Sequence, residues 1–419
     1  MVANFLKNAE IRKKLAITAI LIVVFRLVAH VPVPGIDLNA IRSYIQGNAF
    51  FGLLDLFSGG GFQNFSIATL GLAPYINVSI AMQLLTMMIP SLEELQKEGE
   101  YGREKINMYT KLLTVPMSMI QGYGIYFWLN RQGVIRTLSP LDLIIFVLTL
   151  TAGAILLVWL GELISEYGIG NGISLLIFVG IISQLPAGIT GYLASVTSYN
   201  FGNTLLFVAL SLAVIVAVVL INEGTRNVSI EYGRSGVRSE KISNFLPIKV
   251  NQAGVIPIIF AVSLVLIPSM ISGPLQTSSN GLAQKAGYFL AQNFNANSVG
   301  YNVLYFLLVV GFTYFYTSVQ FNSEKVADDI KKRGGFIPGI RPGKSTADFL
   351  KAIVNRITFT GALFLGVIAI LPYLVQKYIG VSNLSIGGTG LLIVVSVVLE
   401  TVRQMESLMV TRNYDSFLR

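Results

Sequence analysis

Long apolar runs recur along the whole chain, separated by shorter polar and basic stretches. Ten of them are candidate membrane spans, at about 15–31, 67–90, 109–130, 141–161, 172–190, 203–222, 252–272, 301–322, 353–375 and 387–407. A spanning helix needs roughly 20 mostly apolar residues. Ten spans put both chain ends on one side of the membrane. The stretch 53–90 breaks the pattern. Its first part, Leu53-Leu54-Asp55-Leu56-Phe57-Ser58-Gly59-Gly60-Gly61-Phe62, is too short to cross, and its second part is interrupted by Gly71 and Pro74. Irregular backbone at membrane depth is tolerated only where protein buries it or where it lines a cavity.

The halves of the chain echo each other. Divided near residue 200, spans one to five and six to ten have opposite topology. The second span of the first half opens Gly71-Leu72-Ala73-Pro74, and that of the second half contains Gly254-Val255-Ile256-Pro257. Interrupted spans at matching positions of inverted halves point to a functional site.

Composition agrees with the pattern. Hydrophobic residues make up 53% of the 419 and charged residues 12%, against about 25% charged in soluble proteins. With no cysteine and one histidine, His30, thiolate metal sites and histidine-based chemistry are excluded. Lys7, Arg12, Lys13 and Lys14 precede the first apolar run in the manner of a signal peptide. Pro32-Val33-Pro34-Gly35 follows where a small-residue cleavage site would stand, so a retained span is expected.

Charge then sets the orientation. Twenty-three of the thirty Lys and Arg fall on the side that holds the N-terminus and five on the other, which predicts cytoplasmic termini. Two long basic loops on that side, about 223–251 and 323–352, suggest a docking surface. Within the spans, ionisable groups are nearly absent: Arg26, Arg356 and Glu400 sit near span ends. Ion-coupled transporters use intramembrane carboxylates, so this scarcity counts against coupled solute transport. Gly339-Ile340-Arg341-Pro342-Gly343-Lys344-Ser345 is one residue short of a phosphate-binding loop, and no strand precedes it. No catalytic residue, cofactor site or energy source is expected. What remains is aliphatic: Leu72 and Ile76, and Ile173 and Ile177, are pairs four apart, each on one helix face. Converging on one axis, such residues would form a dewetted seal; scattered, they would be lipid-facing or packing residues. Gln83, Gln121 and Asn251 are polar residues within spans, suited to helix–helix hydrogen bonds.

Several motifs resemble the bacterial SecY family, whose members form the channel of the protein-conducting translocon. They are Gly71-Leu72-Ala73-Pro74-Tyr75-Ile76-Asn77-Val78-Ser79-Ile80, Trp159-Leu160-Gly161-Glu162 with Gly168-Ile169-Gly170-Asn171-Gly172-Ile173-Ser174, Leu246-Pro247-Ile248-Lys249-Val250-Asn251-Gln252-Ala253-Gly254, and Phe336-Ile337-Pro338-Gly339-Ile340-Arg341-Pro342-Gly343. The resemblance covers nearly the whole chain. It implies an all-α integral membrane protein of the cytoplasmic membrane, with ten transmembrane helices in two pseudo-symmetric inverted halves, 1–200 and 201–419, around a central pore.

Carried over by residue, the resemblance puts the pore ring on Leu72, Ile76, Ile173, Ile177, Ile259 and Ile393. It puts a short re-entrant plug helix on about 55–67, including Asp55, Leu56, Phe57, Ser58, Gly59, Gly60, Gly61 and Phe62. A lateral gate, involving Gln83, Gln121 and Asn251, would lie between helices two and three and helices seven and eight. Arg234, Arg238, Lys331, Lys332, Arg333, Arg341 and Lys344 would dock the SecA ATPase or the ribosome, with SecE and SecG as further subunits. Signal peptides, nascent chains and the lipid bilayer complete the implied partners.

The sequence departs from the family at Glu231-Tyr232-Gly233-Arg234-Ser235, where relatives commonly read close to Gln-Tyr-Ala-Lys-Arg. The Gly59-Gly60-Gly61 run weakens a helix by about 1 kcal/mol per glycine, which predicts a loosely held plug. The competing readings are an inverted-repeat secondary transporter and a poreless scaffold.

Overall fold

The computed structural model describes residues 9–34, 36, 41, 58–62, 64–131, 133–195, 201–232, 244–276, 280–295, 298–379 and 388–417. Its helices are α1 (Ala9–Val28), α2 (Ala73–Met88), α3 (Pro90–Lys97), α4 (Glu100–Arg131), α5 (Pro140–Tyr167), α6 (Gly172–Ser195) and α7 (Phe201–Glu223), then α8 (Ile256–Gln276), α9 (Gly281–Asn293), α10 (Val299–Gln320), α11 (Ser323–Lys332), α12 (Lys344–Ile379) and α13 (Gly388–Phe417). Each of the ten candidate spans overlaps one of these helices. Among the described residues, Pro140–Tyr167, Thr204–Glu223, Val299–Lys332 and Lys344–Val375 are by themselves long and apolar enough to cross a membrane. The pair α2 and α3, bent by 99°, is a fifth only if counted as one span. Pro90 causes that bend, since the residue before a proline is pushed out of the helical region, and Ile89 is extended at φ −107°, ψ 111°.

The chain groups into two compact units, Met1–Val196 with Asn383–Ile386 and Val397–Arg419, and Thr197–Ser382 with Gly387–Ser396. In the first unit, α4 packs on α2 and α5, and α5 packs on α1 and α6. Small residues make these approaches possible, as expected where lipid offers no hydrophobic drive between helices. Thr110, Thr114, Ser118 and Gly122, spaced by four, form the buried face of α4. The hydroxyls of the first three return to the carbonyl four residues back, at 2.8, 2.7 and 2.7 Å, so no buried hydroxyl is left unpaired there. A methyl on Gly172 would lie 1.8 Å from the Gly161 carbonyl, so α5 and α6 touch through glycine backbone.

In the second unit, α8 packs on α9 and α10, and α10 on α12. Here the all-α expectation needs amending, because the long basic loops are folded. β1 (Thr225–Tyr232), β2 (Asn244–Lys249) and β3 (Gly335–Phe336) form an antiparallel sheet in the order β2-β1-β3, with Val228 opposite Leu246 and Glu231 opposite Phe336. Val228, Ile230, Ile248, Ile330, Ile337, Leu350 and Val354 give it a core shared with α11 and the start of α12. Alternation of buried Val228 and Ile230 with exposed neighbours is the two-residue period of a half-covered strand. Charge dominated the sequence-level view of these segments and hid that alternation.

Candidate functional site

Two broken helix starts hold the residues of interest. In the first unit, Gly71 adopts φ +56°, and α2 begins two residues later with Pro74 in its first turn. In the second unit, Gly254 adopts φ +64°, and α8 likewise begins two residues later, with Pro257 in its first turn. Glycine tolerates positive φ and proline is preset for a first helical turn, so Gly-x-x-Pro is a compact instruction to turn and start a helix. The second candidate span, 67–90, therefore starts as a helix at Ala73 and not near 67.

Both starts carry buried aliphatic side chains. Leu72 caps α2 and its carbonyl accepts from Ile76 N at 3.0 Å; their exposures are 2% and 6%. Ile259 in the first turn of α8 is 7% exposed and Ile393 on α13 is 4% exposed. Ile177 on α6 is buried and Ile173 half-buried. Their positions come from the turn before α6, where Asn171 Oδ1 accepts from Ser174 N at 3.2 Å and Gly172 N donates to Ser165 Oγ at 2.9 Å.

Of the expected plug residues, Asp55, Leu56 and Phe57 lie outside the described residues. Among those described up to 67, only Ser58 is helical; the others form turns and a bridge. Gly59 and Gly60 at φ +67° and +86° explain this, because a right-handed helix cannot run through left-handed positions. The segment is also tied down, against the expectation of loose packing. Phe62 N donates to Ser58 Oγ at 2.9 Å, and Thr69 Oγ1 donates to the carbonyl of Ser66 and, at 3.3 Å, to that of Gly61. Val33 N donates to Phe65 O and Ile67 N to Val31 O, at 2.9 and 3.0 Å. Phe62 meets Phe65 edge to face and Phe65 stacks on Phe146 within a buried cluster that includes Leu129, Ile135 and Leu150. The glycine run makes a fixed turn and weakens no helix here. Arg26, expected only near a span end, donates to the Gly59 carbonyl at 2.6 Å and to Ser183 Oγ at 2.9 Å.

The polar residues expected at a gate have separate settings. Gln83 is half-buried on α2, its Oε1 with no hydrogen-bond donor among the described residues, and Gln121 is half-buried on α4. Asn251 precedes the second break and donates to Asn222 Oδ1 at 2.8 Å and to the Gly254 carbonyl at 3.3 Å. The partners Asn222 and Ser396 escaped the sequence reading, since no spacing links positions so far apart in the chain.

On the basic platform, Ile337 and Ile340 reach into the sheet's core on either side of Gly339, at φ +78°, which leaves Arg341 exposed at the loop crest. Thr346 Oγ1 donates to the Arg341 carbonyl at 2.9 Å and fixes the crest from behind. Lys331, Lys332, Arg333 and Lys344 are exposed; Arg234 and Arg238 lie outside the described residues. The short helix α3 carries the ion pair Lys97–Glu93 at 2.7 Å.

Several apolar helices of spanning length, with two further helix starts broken by glycine and proline and a folded basic platform, mark a multi-pass membrane protein. A family model described as SecY matches residues 66–402. A protein translocase subunit SecY of Corynebacterium glutamicum is 42% identical, covering 99% of this chain and 98% of the relative. A solved structure titled "The plug domain of the SecY protein stablizes the closed state of the translocation channel and maintains a membrane seal" is similar with a TM-score of 0.64 and 22% identity, over 94% of this chain and 92% of that one. Sec61 in a canine ribosome-channel complex has a TM-score of 0.59 and 20% identity, over 94% and 92%. The chain belongs to the SecY family. Membership makes it a protein-conducting channel of the secretory pathway and not an enzyme.

Proposed function

We propose that the chain forms a passive polypeptide channel of ten membrane crossings, with residues 1–200 and 201–419 as its two halves and both termini cytoplasmic. Leu72, Ile76, Ile173, Ile177, Ile259 and Ile393 form the aliphatic gasket, which seals against ions without charge by excluding water. Residues 55–67 are the stopper. Signal sequences and membrane segments leave sideways between α2 and α4 on one side and α8 and α10 on the other, past Gln83, Gln121 and Asn251.

The matched helix starts support this reading most. Each half delivers a buried aliphatic residue within five residues of a positive-φ glycine, at Ile76 and Ile259. Driving force comes from outside: SecA or the ribosome docks on the platform around Arg341, and SecE and SecG complete the complex. The ribosome-bound neighbour supports the ribosome as one such partner.

Reconstitution in proteoliposomes tests the proposal. With SecE, SecA and ATP, a preprotein becomes protected from external protease, while no small solute is concentrated. Solute accumulation without preprotein protection would favour an inverted-repeat transporter.

A further inference from the structure

The second helix break is held by a polar chain that crosses three elements. Asn251 Nδ2 donates to Asn222 Oδ1 at 2.8 Å, and Asn222 Nδ2 donates to Ser396 Oγ at 2.7 Å. Asn251 Nδ2 also lies 3.3 Å from the Gly254 carbonyl, which can only accept. That carbonyl fixes which end of the Asn251 amide faces which partner. Asn222 must then present its oxygen to Asn251, leaving its nitrogen for Ser396.

Around this chain the fit is close. Val250 N donates to the Gly224 carbonyl at 2.9 Å, and a methyl on Gly361 of α12 would lie 2.8 Å from the Val250 carbonyl. The chain therefore joins the end of α7, the approach to α8 and the first third of α13. The two gasket residues of this unit sit on the joined elements. Ile259 is in the first turn of α8, five residues past Gly254, and Ile393 is one turn before Ser396 on α13. Ser396 is also the last residue of α13 that groups with this unit.

We infer that Asn222 and Ser396 are positioning residues: through Asn251 they hold Ile259 and Ile393 as one wall of the gasket, and so set how tightly the idle channel seals and how strong a signal sequence must be to open it. The inference rests on the gasket reading above. Helix packing alone would leave α13 free to turn or slide by a fraction of a residue against the start of α8. The amide–amide–hydroxyl chain limits that freedom, because its two directional links are both made in one register, even though Asn251 Oδ1 has no donor among the described residues. Breaking the link at Asn251 costs a buried amide one of its bonds, and breaking the link at Ser396 costs two half-buried groups one each, so intermediate registers are disfavoured.

The test measures idle-channel conductance in planar bilayers, and export of a preprotein whose signal sequence has a shortened apolar core. Asn222→Leu removes both links of the chain. Its idle conductance should rise about fivefold to tenfold over the unsubstituted channel, the weight of one neutral hydrogen bond, with export of the impaired preprotein rising in step. Ser396→Ala breaks one link and should give a smaller rise in both. Ser396→Thr keeps the hydroxyl and should behave as the unsubstituted channel. Should Asn222→Leu fail to assemble, Ser396→Ala against Ser396→Thr carries the comparison, because both small side chains fit the site. Ile393→Asn serves as control. If it leaks while Asn222→Leu and Ser396→Ala seal normally, the positioning role is overturned and the gasket stands. If none of the three leaks, the gasket reading falls and this inference with it.

Discussion

The breaks at Gly71 and Gly254 share one backbone solution, yet their surroundings hold them in opposite ways. The first is gripped by close packing. A methyl on Gly153 of α5 would lie 1.8 Å from the Ile67 carbonyl, just ahead of the turn, and the preceding residues 58–69 are tied by buried hydroxyls and stacked aromatic rings. At the second, the glycine alone faces open space: nothing lies within 4 Å of a methyl built on Gly254, although Ala253, Val255 and Ile258 beside it are buried. There a hydrogen-bonded chain from Asn251 to Ser396 does the holding. Packing resists displacement in every direction, whereas a few directional bonds can be broken singly. The first break is thus suited to a fixed seat and the second to an element that shifts between defined positions.

The contrast can be broken most forcefully from the packed side. Gly153→Val pushes a branched side chain into the Ile67 carbonyl, and backbone has no rotamer to yield. A loss of about 3 kcal/mol or more is expected, at the upper end of overpacking effects, read as a lower thermal midpoint of the purified complex. Survival with an unchanged midpoint would mean that α5 does not grip the first break.

Next in size, Ile76→Asn and Ile393→Asn each put an amide into the aliphatic seal. Each should raise idle ion conductance about tenfold, equivalent to ~1.4 kcal/mol in the open–closed balance. Leakage from only one of the two would show that Ile76 and Ile393 do not share a gasket.

Thr69→Val keeps the shape of a buried side chain but deletes its bonds to Gly61 and Ser66. Chemical denaturation should show a loss of about 1 kcal/mol. An effect no larger belongs to the open side. Gly254→Ala meets no neighbour, so only the positive φ penalises it, by about 1 kcal/mol. A loss as large as that of Gly153→Val would erase the distinction between the two sites.

Much of this was legible in the sequence. Hydrophobic runs locate the long helices because membrane helices follow composition closely. The Gly-x-x-Pro echo locates both breaks because glycine and proline act locally. Of the six aliphatic positions, Leu72, Ile76, Ile177, Ile259 and Ile393 are buried and Ile173 is half-buried, which helix packing would produce as well as a seal. Properties set by distant partners were not legible. The glycines at 59 and 60 read as helix breakers in a loose segment, while their positive φ values build a turn that Arg26 and the Phe65–Phe146 stack secure. The sheet was masked by its basic residues, since its core needs α11 and α12, far along the chain, to cover one face. Asn222 and Ser396, 174 residues apart, carry no local signal of their contact.

Cysteine crosslinking of a stalled secretory chain tests most directly whether the two breaks face one polypeptide path. The protein has no cysteine of its own, so single substitutions at Ile76 and Ile259 report cleanly, with exposed Leu212 on α7 as the reference surface. Disulfides from both Ile76→Cys and Ile259→Cys to the same region of the stalled chain, and none from Leu212→Cys, are the predicted result. Capture at Leu212→Cys with none at either break would contradict the channel reading.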